Sequence, residues 1–403
     1  MTATPPGARR LPWWAAVLLV FVASRVVTTV ILLIFASVQS ANAFSGAQPS
    51  YGQLGIYWDG IWYQQIAFFG YPRELPRDAA GNVTENAWAF LPLYAWLSQG
   101  VSLVTRLPYA VAAIAVSVLS SAGAALLFHR MLSLRLSPGA ALWGVTLFCF
   151  APLSPILQVG YAEPLQLLLL MAALLLVMQR RYLWTLPLIL VMGFTRPTGL
   201  AFALFLGLHL VQRVLARRTE PLPRGQILQI LGAGAASVAV GFAWSAIAAV
   251  VTGDLRAYMD TELAWRSGYI GQSDLIPFTP WFLAADFGVR FATGAARPLS
   301  LVVGALLVLA GVVVLTLILL SRAVRRLGPE LRLWSLSYAV YLLAVFFPQS
   351  STFRLLMPLF PVLGAVQPRH PLARAGVLTL CVALQVAWVA ACWWVVAPDW
   401  SPP

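Results

Sequence analysis

Apolar residues along this chain form long stretches separated by short polar segments. The stretches at 12–36, 226–251, 299–320 and 375–396 each reach the roughly 20 residues that cross a ~30 Å hydrocarbon core. The pattern therefore predicts an all-α polytopic membrane protein with about eleven transmembrane helices. These spans are predicted at 12–36, 108–129, 138–157, 162–179, 183–195, 197–215, 226–251, 299–320, 333–348, 353–367 and 375–396.

Two long polar segments, 37–107 and 252–298, interrupt this series and are expected on the same side of the membrane. Within the first, the stretch 88–104 is apolar enough to suggest another span. Pro92, Tyr94 and Trp96 instead favour a helix lying at the interface. We therefore predict one membrane-embedded domain over 1–403 with two large external loops.

The composition excludes a soluble globular protein. Hydrophobic residues make up 60% of the chain and charged residues 10%, whereas soluble domains carry roughly 25% charged residues. The net charge of +13 would suggest nucleic acid binding in a soluble protein. Cationic loops beside membrane helices explain the charge better here, so the bilayer and not nucleic acid is the expected partner.

The arginines also orient the chain. With the N-terminus in the cytoplasm, sixteen of the 26 basic residues, including Arg9 and Arg10, fall in cytoplasmic loops or tails. The positive-inside rule therefore favours a cytoplasmic N-terminus, with 37–107 and 252–298 outside the plasma membrane.

Cysteine and histidine give no sign of a metal centre. The three cysteines lie in apolar stretches without CxxC spacing, and the three histidines are scattered. We expect neither a metal ligand set nor a divalent metal cofactor.

Short polar motifs from five parts of the chain share the external face in this threading. Together they bring an Asp, a Glu, two Arg and several aromatic residues to one membrane surface. The motifs are YWDGIWYQQIAFFGYP at 57–72, AFLPLY at 89–94, GYAEP at 160–164, FTRPTG at 194–199 and QSSTFR at 349–354.

Asp59 lies between Trp58 and Gly60 in the first motif. Desolvation among aromatic rings makes a carboxylate more basic, which suits a general base. The alternative is an interfacial aromatic belt in which the Asp caps a surface helix. The rings that would stack on a sugar are Trp58, Trp62, Tyr63 and Tyr71.

Three other charged residues lie close to predicted helix ends. Glu163 follows Tyr161 at the start of a span, as a functional acid or as a partner of the helix dipole. Arg196 and Arg354 suit either bidentate phosphate binding or snorkelling to lipid headgroups. Arg25 falls inside the first span and is expected to pair with a carboxylate or with backbone carbonyls.

The segment 252–298 is either a functional lid or a flexible solvated loop. It shows no recognisable metal spacing. Its charged residues include Asp254, Asp260, Glu262, Arg266, Asp274 and Asp286.

The order of these motifs resembles the GPI mannosyltransferase 2 (PIG-V) family, in its bacterial integral-membrane branch. The resemblance covers residues 24–200, about half of the chain, and is most specific in WDGIWYQQIAFFGYP. The C-terminal half is similar only in hydropathy and in its large loop. The other matching motifs are Ser24–Arg25, AFLPLY at 89–94, GYAEPL at 160–165 and TRPTGL at 195–200.

This resemblance implies a GT-C glycosyltransferase fold and an inverting mannosyltransferase. The implied donor is polyprenyl-phosphate mannose, and the acceptor would be a glycolipid, a polymer or a protein outside the cytoplasm. Asp59 would be the general base, and Glu163 a second catalytic residue. Position 62 is Trp where some relatives have a different aromatic residue or His, so the resemblance assigns no role to Trp62. From the chemistry of the residues themselves, and not from the resemblance, we expect the donor to be bound by Arg196, Arg354, Trp58, Tyr63 and Tyr161.

Two other functions stay open on sequence grounds. One is a transporter or flippase of lipid-linked sugars, although no internal repeat of the kind common in transporters is visible. The other is a non-catalytic partner of another glycosyltransferase.

Overall fold

The computed structural model describes residues 11–396 and 402–403, and these residues form seventeen α-helices. Across the described ranges there is no strand beyond one isolated bridge between Arg77 and Val83. The predicted all-α class is therefore confirmed. The helices are α1 Trp13–Val38, α2 Tyr51–Leu54, α3 Asp59–Phe69, α4 Pro92–Thr105, α5 Tyr109–Ser133, α6 Pro138–Phe150, α7 Glu163–Met178, α8 Thr185–Gly193, α9 Gly199–Leu215, α10 Arg224–Thr252, α11 Ala257–Ile270, α12 Pro280–Thr293, α13 Leu299–Leu320, α14 Arg322–Arg325, α15 Pro329–Val345, α16 Thr352–Leu355 and α17 Pro371–Cys392.

Five of these helices, α1, α5, α10, α13 and α17, are long and apolar enough to cross a membrane. Helix α13 is the most exposed of them and presents Leu301, Leu306 and Leu317 on its surface. Such continuous apolar surface suits lipid rather than water. The chain is a multi-pass membrane protein whose other predicted spans form shorter helices. Arg9 and Arg10 lie outside the described residues.

Prolines divide two of the predicted spans. The span predicted at 353–367 consists of α16 and a 3-10 helix, Met357–Ala365, which contains Pro358 and Pro361. The span predicted at 138–157 leaves α-helical geometry after Phe150, and a 3-10 helix follows at Ser154–Gln158. Proline has no N–H for the α-helical hydrogen bond and restricts the residue before it, so regular helix does not continue.

The core lies where α5 packs on α7 and where α9 packs between α10 and α15. Large side chains such as Phe128, Phe202 and Trp334 are almost completely buried there. Trp334 also donates its indole N–H to the carbonyl of Pro358 at 2.8 Å, which ties α15 to the 3-10 helix. This packing fixes the helix ends that carry the polar motifs.

Arg25 binds backbone carbonyls rather than a carboxylate. Its guanidinium donates to the carbonyl oxygens of Ser154 at 2.7 Å and Cys149 at 2.8 Å. These carbonyls lie at the end of α6 and the start of the following 3-10 helix, where some backbone acceptors have no helical partner. The buried arginine therefore stabilises the break between these two elements.

The two long polar segments are folded and contact each other. Residues 37–107 contain α2, α3 and α4, and residues 252–298 contain α11 and α12. Asn86 donates its side-chain amide to the hydroxyl of Thr261 at 2.9 Å. The rings of Trp62 and Trp265 lie 5.9 Å apart between centroids. Helix α11 is thus held against α3 and the 3-10 turn at Ala87–Ala89.

Candidate functional site

Charged side chains from distant parts of the chain meet in a buried group, here called the ion cluster. Arg196 Nη2 donates to Asp59 Oδ2 at 3.1 Å and also to Glu163 Oε1. Arg354 Nη1 donates to Asp59 Oδ2 and lies 3.1 Å from Glu163 Oε1. Each carboxylate contacts both guanidinium groups, so the formal charges of the cluster cancel. The ion cluster comprises Asp59, Glu163, Arg196 and Arg354.

Asp59 enters the ion cluster from the first position of α3. The preceding residue, Trp58, has a φ of 59°, a left-handed conformation that is uncommon for a large side chain. The indole N–H of Trp58 donates to the carbonyl of Cys392 at 2.8 Å, which holds this turn in place. Local strain of this kind is often found at functional sites.

Glu163 is positioned by a close approach of two backbones. The N–H of Gly160 donates to the carbonyl of Gly55 at 2.6 Å. A Cβ on Gly160 would lie 3.2 Å from that same carbonyl oxygen, so a larger residue would push the segments apart. The contact brings the start of α7, with Glu163, beside the start of α3, with Asp59.

Arg196 is held by its own turn, which packs on α7 and α10. Gln166, one turn after Glu163, donates its amide to the hydroxyl of Thr198 at 2.6 Å. Ser237 of α10 donates to the carbonyl of Gly199 at 2.7 Å. The TRPTG motif thus fixes the arginine against the first turn of α7.

Arg354 reaches the ion cluster from α16. Its guanidinium carbon lies 5.1 Å from the ring centroid of Tyr161, a cation–π arrangement. The hydroxyl of Tyr338 donates to the carbonyl of Leu355 at 2.7 Å and anchors the short helix. These contacts hold the short helix so that Arg354 points towards Asp59 and Glu163, which lie far away in the sequence.

The ion cluster is shielded from solvent but retains unused hydrogen-bonding groups. Its four side chains are between 6% and 14% exposed. Among the described residues, the Nε–H groups of Arg196 and Arg354 and the Oε2 atom of Glu163 have no hydrogen-bond partner. The hydroxyl of Tyr63 is likewise buried without a partner. Such groups are uncommon in folded proteins and call for an explanation.

The aromatic residues predicted to bind the donor differ in their surroundings. Tyr161 lies beneath Arg354, and its hydroxyl accepts a hydrogen bond from the backbone N–H of Asp59 at 3.3 Å. Tyr63 is fully buried, and its ring packs on Tyr94. Trp58 packs edge-on against Phe44, with ring centroids 4.7 Å apart, so its ring has a packing role as well.

Helix α11 supplies two residues, Glu262 and Trp265, for which no individual role was predicted from the sequence. Trp265 packs against Trp62 and Phe90. Trp62 and Trp265 are partly exposed and form an aromatic wall, whereas Phe90 is buried behind them. Loss of hydration raises the pKa of Glu262 to about 7, and the nearby charge of Asp59 adds to this while Arg196 opposes it. The sequence feature that could have indicated them is the spacing of Glu262 three residues before Trp265, which puts an acid and an aromatic ring on one face of a polar helix.

An apolar groove of about 370 Å³ lies between α12, α13, α15 and the 3-10 helix Met357–Ala365. Its lining includes Trp281, Val308 and Leu342. Pro348 and Leu356, also in its wall, flank the segment that carries Arg354. The groove therefore runs beside the chain that delivers a guanidinium group to the ion cluster.

Across the described part of the chain, no three His, Cys, Asp or Glu side chains are grouped so that they could hold a metal ion.

No protein-family model and no curated protein sequence matches the chain, so the family resemblance rests on its motifs alone. Among solved structures, the chain is similar to the archaeal oligosaccharyltransferase AglB from Archaeoglobus fulgidus, solved with an inhibitory peptide and a dolichol-phosphate. The TM-score is 0.44 at 11% identity, over 92% of this chain and 55% of that protein. The chain thus spans about half the length of that protein, and at this level the similarity tells nothing about activity.

Proposed function

We propose that this protein is a membrane glycosyltransferase of the GT-C type that uses a polyprenyl-phosphate sugar as donor. The observation that carries the proposal is the pair of buried arginines, Arg196 and Arg354, whose Nε–H groups have no acceptor among the described residues. A phosphate offers several charged acceptor oxygens that match the fork of a guanidinium. Two such forks side by side suit the phosphate of a lipid-linked donor, which becomes the leaving group when the sugar is transferred.

The ion cluster also explains how arginines persist at this depth before a donor binds. Asp59 and Glu163 balance the two positive charges, so no net charge is buried in the free protein. A phosphate that binds beside the cluster takes up the remaining N–H donors. The arginines then stabilise the negative charge that builds on the phosphate oxygen as the glycosidic bond breaks.

The apolar groove supports a lipid-linked donor. Its lining by Trp281, Val308 and Leu342 suits an isoprenoid chain, which offers no hydrogen bonds. Because Pro348 and Leu356 border the groove and flank Arg354, a lipid lying in it would carry its phosphate towards that arginine. The sugar would then meet the aromatic wall of Trp62 and Trp265.

The family resemblance is the basis for the proposed sugar and acceptor. It implies mannose and an inverting transfer to an extracytoplasmic hydroxyl of a glycolipid, a polymer or a protein. It also implies a catalytic role for Asp59, as the general base of that family, with Glu163 beside it. Asp59 uses Oδ2 to hold both arginines, so its loss is expected to stop transfer whether it takes a proton or orients the guanidinium groups.

The donor is tested with purified protein in liposomes that contain candidate acceptors. Radiolabelled polyprenyl-phosphate mannose, polyprenyl-phosphate glucose and GDP-mannose are supplied in parallel. We expect transfer from a polyprenyl-phosphate sugar and none from the nucleotide sugar. Transfer from GDP-mannose would overturn the donor class, and movement of the lipid-linked sugar across the bilayer without transfer would favour a flippase.

A further inference from the structure

We infer that Glu262 of α11, rather than Asp59, accepts the proton of the acceptor hydroxyl, and that Asp59 positions the two arginines. The inference rests on the proposed glycosyl transfer and deepens it. In the reaction, the acceptor oxygen bonds to the anomeric carbon while the bond from that carbon to the phosphate oxygen breaks. The electron pair leaves with the polyprenyl phosphate, and the hydroxyl proton passes to the carboxylate of Glu262.

The carboxylates of the ion cluster are poorly suited to receive this proton. Asp59 Oδ2 contacts both Arg196 and Arg354, and Glu163 Oε1 contacts the same two groups. The remaining oxygen of Glu163 is enclosed. A proton placed on either carboxylate would weaken the ion pairs that hold the arginines, just when these are needed at the phosphate.

Glu262 lies on the face of α11 that meets α3. Residues three apart share a helix face, so Glu262 points to the same side as Trp265. Trp265 packs on Trp62 of α3, and Trp62 is itself one helical turn after Asp59. Thr261, the residue before Glu262, is fixed by the amide of Asn86 at 2.9 Å. These contacts hold the part of α11 that carries Glu262 beside α3, whose first residue is Asp59.

Side chains of α11, of α15 and of the ion cluster influence the charge of Glu262. Tyr258 lies one turn earlier on the same helix, Asp59 and Arg196 act on it from the ion cluster, and Tyr341 lies near it on α15. No basic side chain within the described ranges forms a salt bridge with Glu262, which stays partly exposed. The other charged groups around α11 and α12 are engaged elsewhere: Arg256 with Asp260 and Asp274, Arg266 with Ser273, and Asp286 with Arg290 and Arg297.

These surroundings favour a carboxylate that changes its protonation near neutral pH. Loss of hydration raises the pKa of Glu262 to about 7, so the carboxylate forms over the physiological range. A general base works best when its pKa lies close to the working pH. Because only the deprotonated form can take a proton, the transfer rate should rise as the pH passes upward through about 7.

The test measures the pH profile of mannose transfer from radiolabelled polyprenyl-phosphate mannose by the full-length protein in liposomes. The variants are Glu262→Gln, Glu262→Asp and Asp260→Asn, the last a matched control on the same helix. We expect Glu262→Gln to lower the rate by about 10²–10⁴-fold and to abolish the rise near neutral pH. Glu262→Asp should keep a rising limb at a reduced rate, and Asp260→Asn should match the wild type.

The outcomes separate this inference from the function on which it rests. A wild type that transfers mannose, with an unchanged pH profile in Glu262→Gln, would overturn the role of Glu262 alone. No transfer by the wild type from any polyprenyl-phosphate sugar would overturn the proposed function and this inference with it. If Glu262→Gln fails to fold, the profile of Glu262→Asp decides, because an unaltered rate and profile there would contradict a base at this position.

Discussion

Removal of the guanidinium of Arg354 tests how the ion cluster is held together. The side chain is 7% exposed and contacts both Asp59 and Glu163. In Arg354→Met the two carboxylates share one guanidinium, so the cluster changes from neutral to a net charge of −1. Loss of one partner from a buried ion pair costs about 3–5 kcal/mol, because the remaining charge stays desolvated.

A second substitution should restore part of this loss. In Arg354→Met with Glu163→Gln, the ion cluster keeps Asp59 and Arg196 and is neutral again. Residues in direct contact couple by about 0.5–3 kcal/mol, so the double variant should be more stable than Arg354→Met by an amount in this range. The matched control is Arg73→Met, an exposed arginine that should change stability by about 0.5 kcal/mol or less.

Thermal unfolding in detergent, followed by circular dichroism, ranks these proteins. We expect the wild type and Arg73→Met to unfold at the highest temperature, then the double variant, then Arg354→Met. Equal midpoints for Arg354→Met and Arg73→Met would refute the energetic role of the cluster. A double variant less stable than Arg354→Met would refute the charge-balance argument.

Three further predictions concern single positions. Gly199→Ala would place a Cβ 2.8 Å from the backbone of α10 and should cost about 1–3 kcal/mol of stability. Gly207→Ala in the same helix meets nothing within 4 Å and should unfold at the wild-type temperature or slightly above it, because Ala favours a helix more than Gly by up to about 1 kcal/mol. Trp265→Ala removes the ring that packs on α3 and should speed proteolysis of 252–298, unlike Phe291→Ala at an exposed site. Arg196→Lys keeps the charge but loses the planar fork, so mannose transfer should fall by about tenfold or more while the protein stays folded.

The helical class follows from the sequence because apolar stretches of membrane length leave few alternatives. The long helices α1, α5, α10, α13 and α17 lie close to their predicted positions. The shorter helices α7 and α9 also lie close to their predicted positions. The span predicted at 353–367 does not form one helix, because Pro358 and Pro361 interrupt its hydrogen bonding. Hydropathy counts apolar residues over a window and does not register this backbone chemistry.

The residues of the site could be predicted from the sequence, but the contacts between them could not. Asp59, Glu163, Arg196 and Arg354 stand out as charges beside apolar stretches, although their pairing depends on how α3, α7 and α16 pack. The roles proposed for them stay predictions. Glu262 could not be distinguished from neighbouring acids such as Asp260 by sequence alone. Only the packing of α11 on α3 places Glu262 towards the cluster, while Asp260 is paired with Arg256.

The most direct test of the central claim compares mannose transfer by the wild type, Asp59→Asn and Asp78→Asn at matched expression in vesicles. Asp78 lies in the same polar segment, 37–107, but is exposed and hydrogen-bonded within its own turn. We predict transfer from radiolabelled polyprenyl-phosphate mannose by the wild type and Asp78→Asn, and loss of transfer in Asp59→Asn. Equal transfer by all three proteins would contradict the placement of the reaction at the ion cluster.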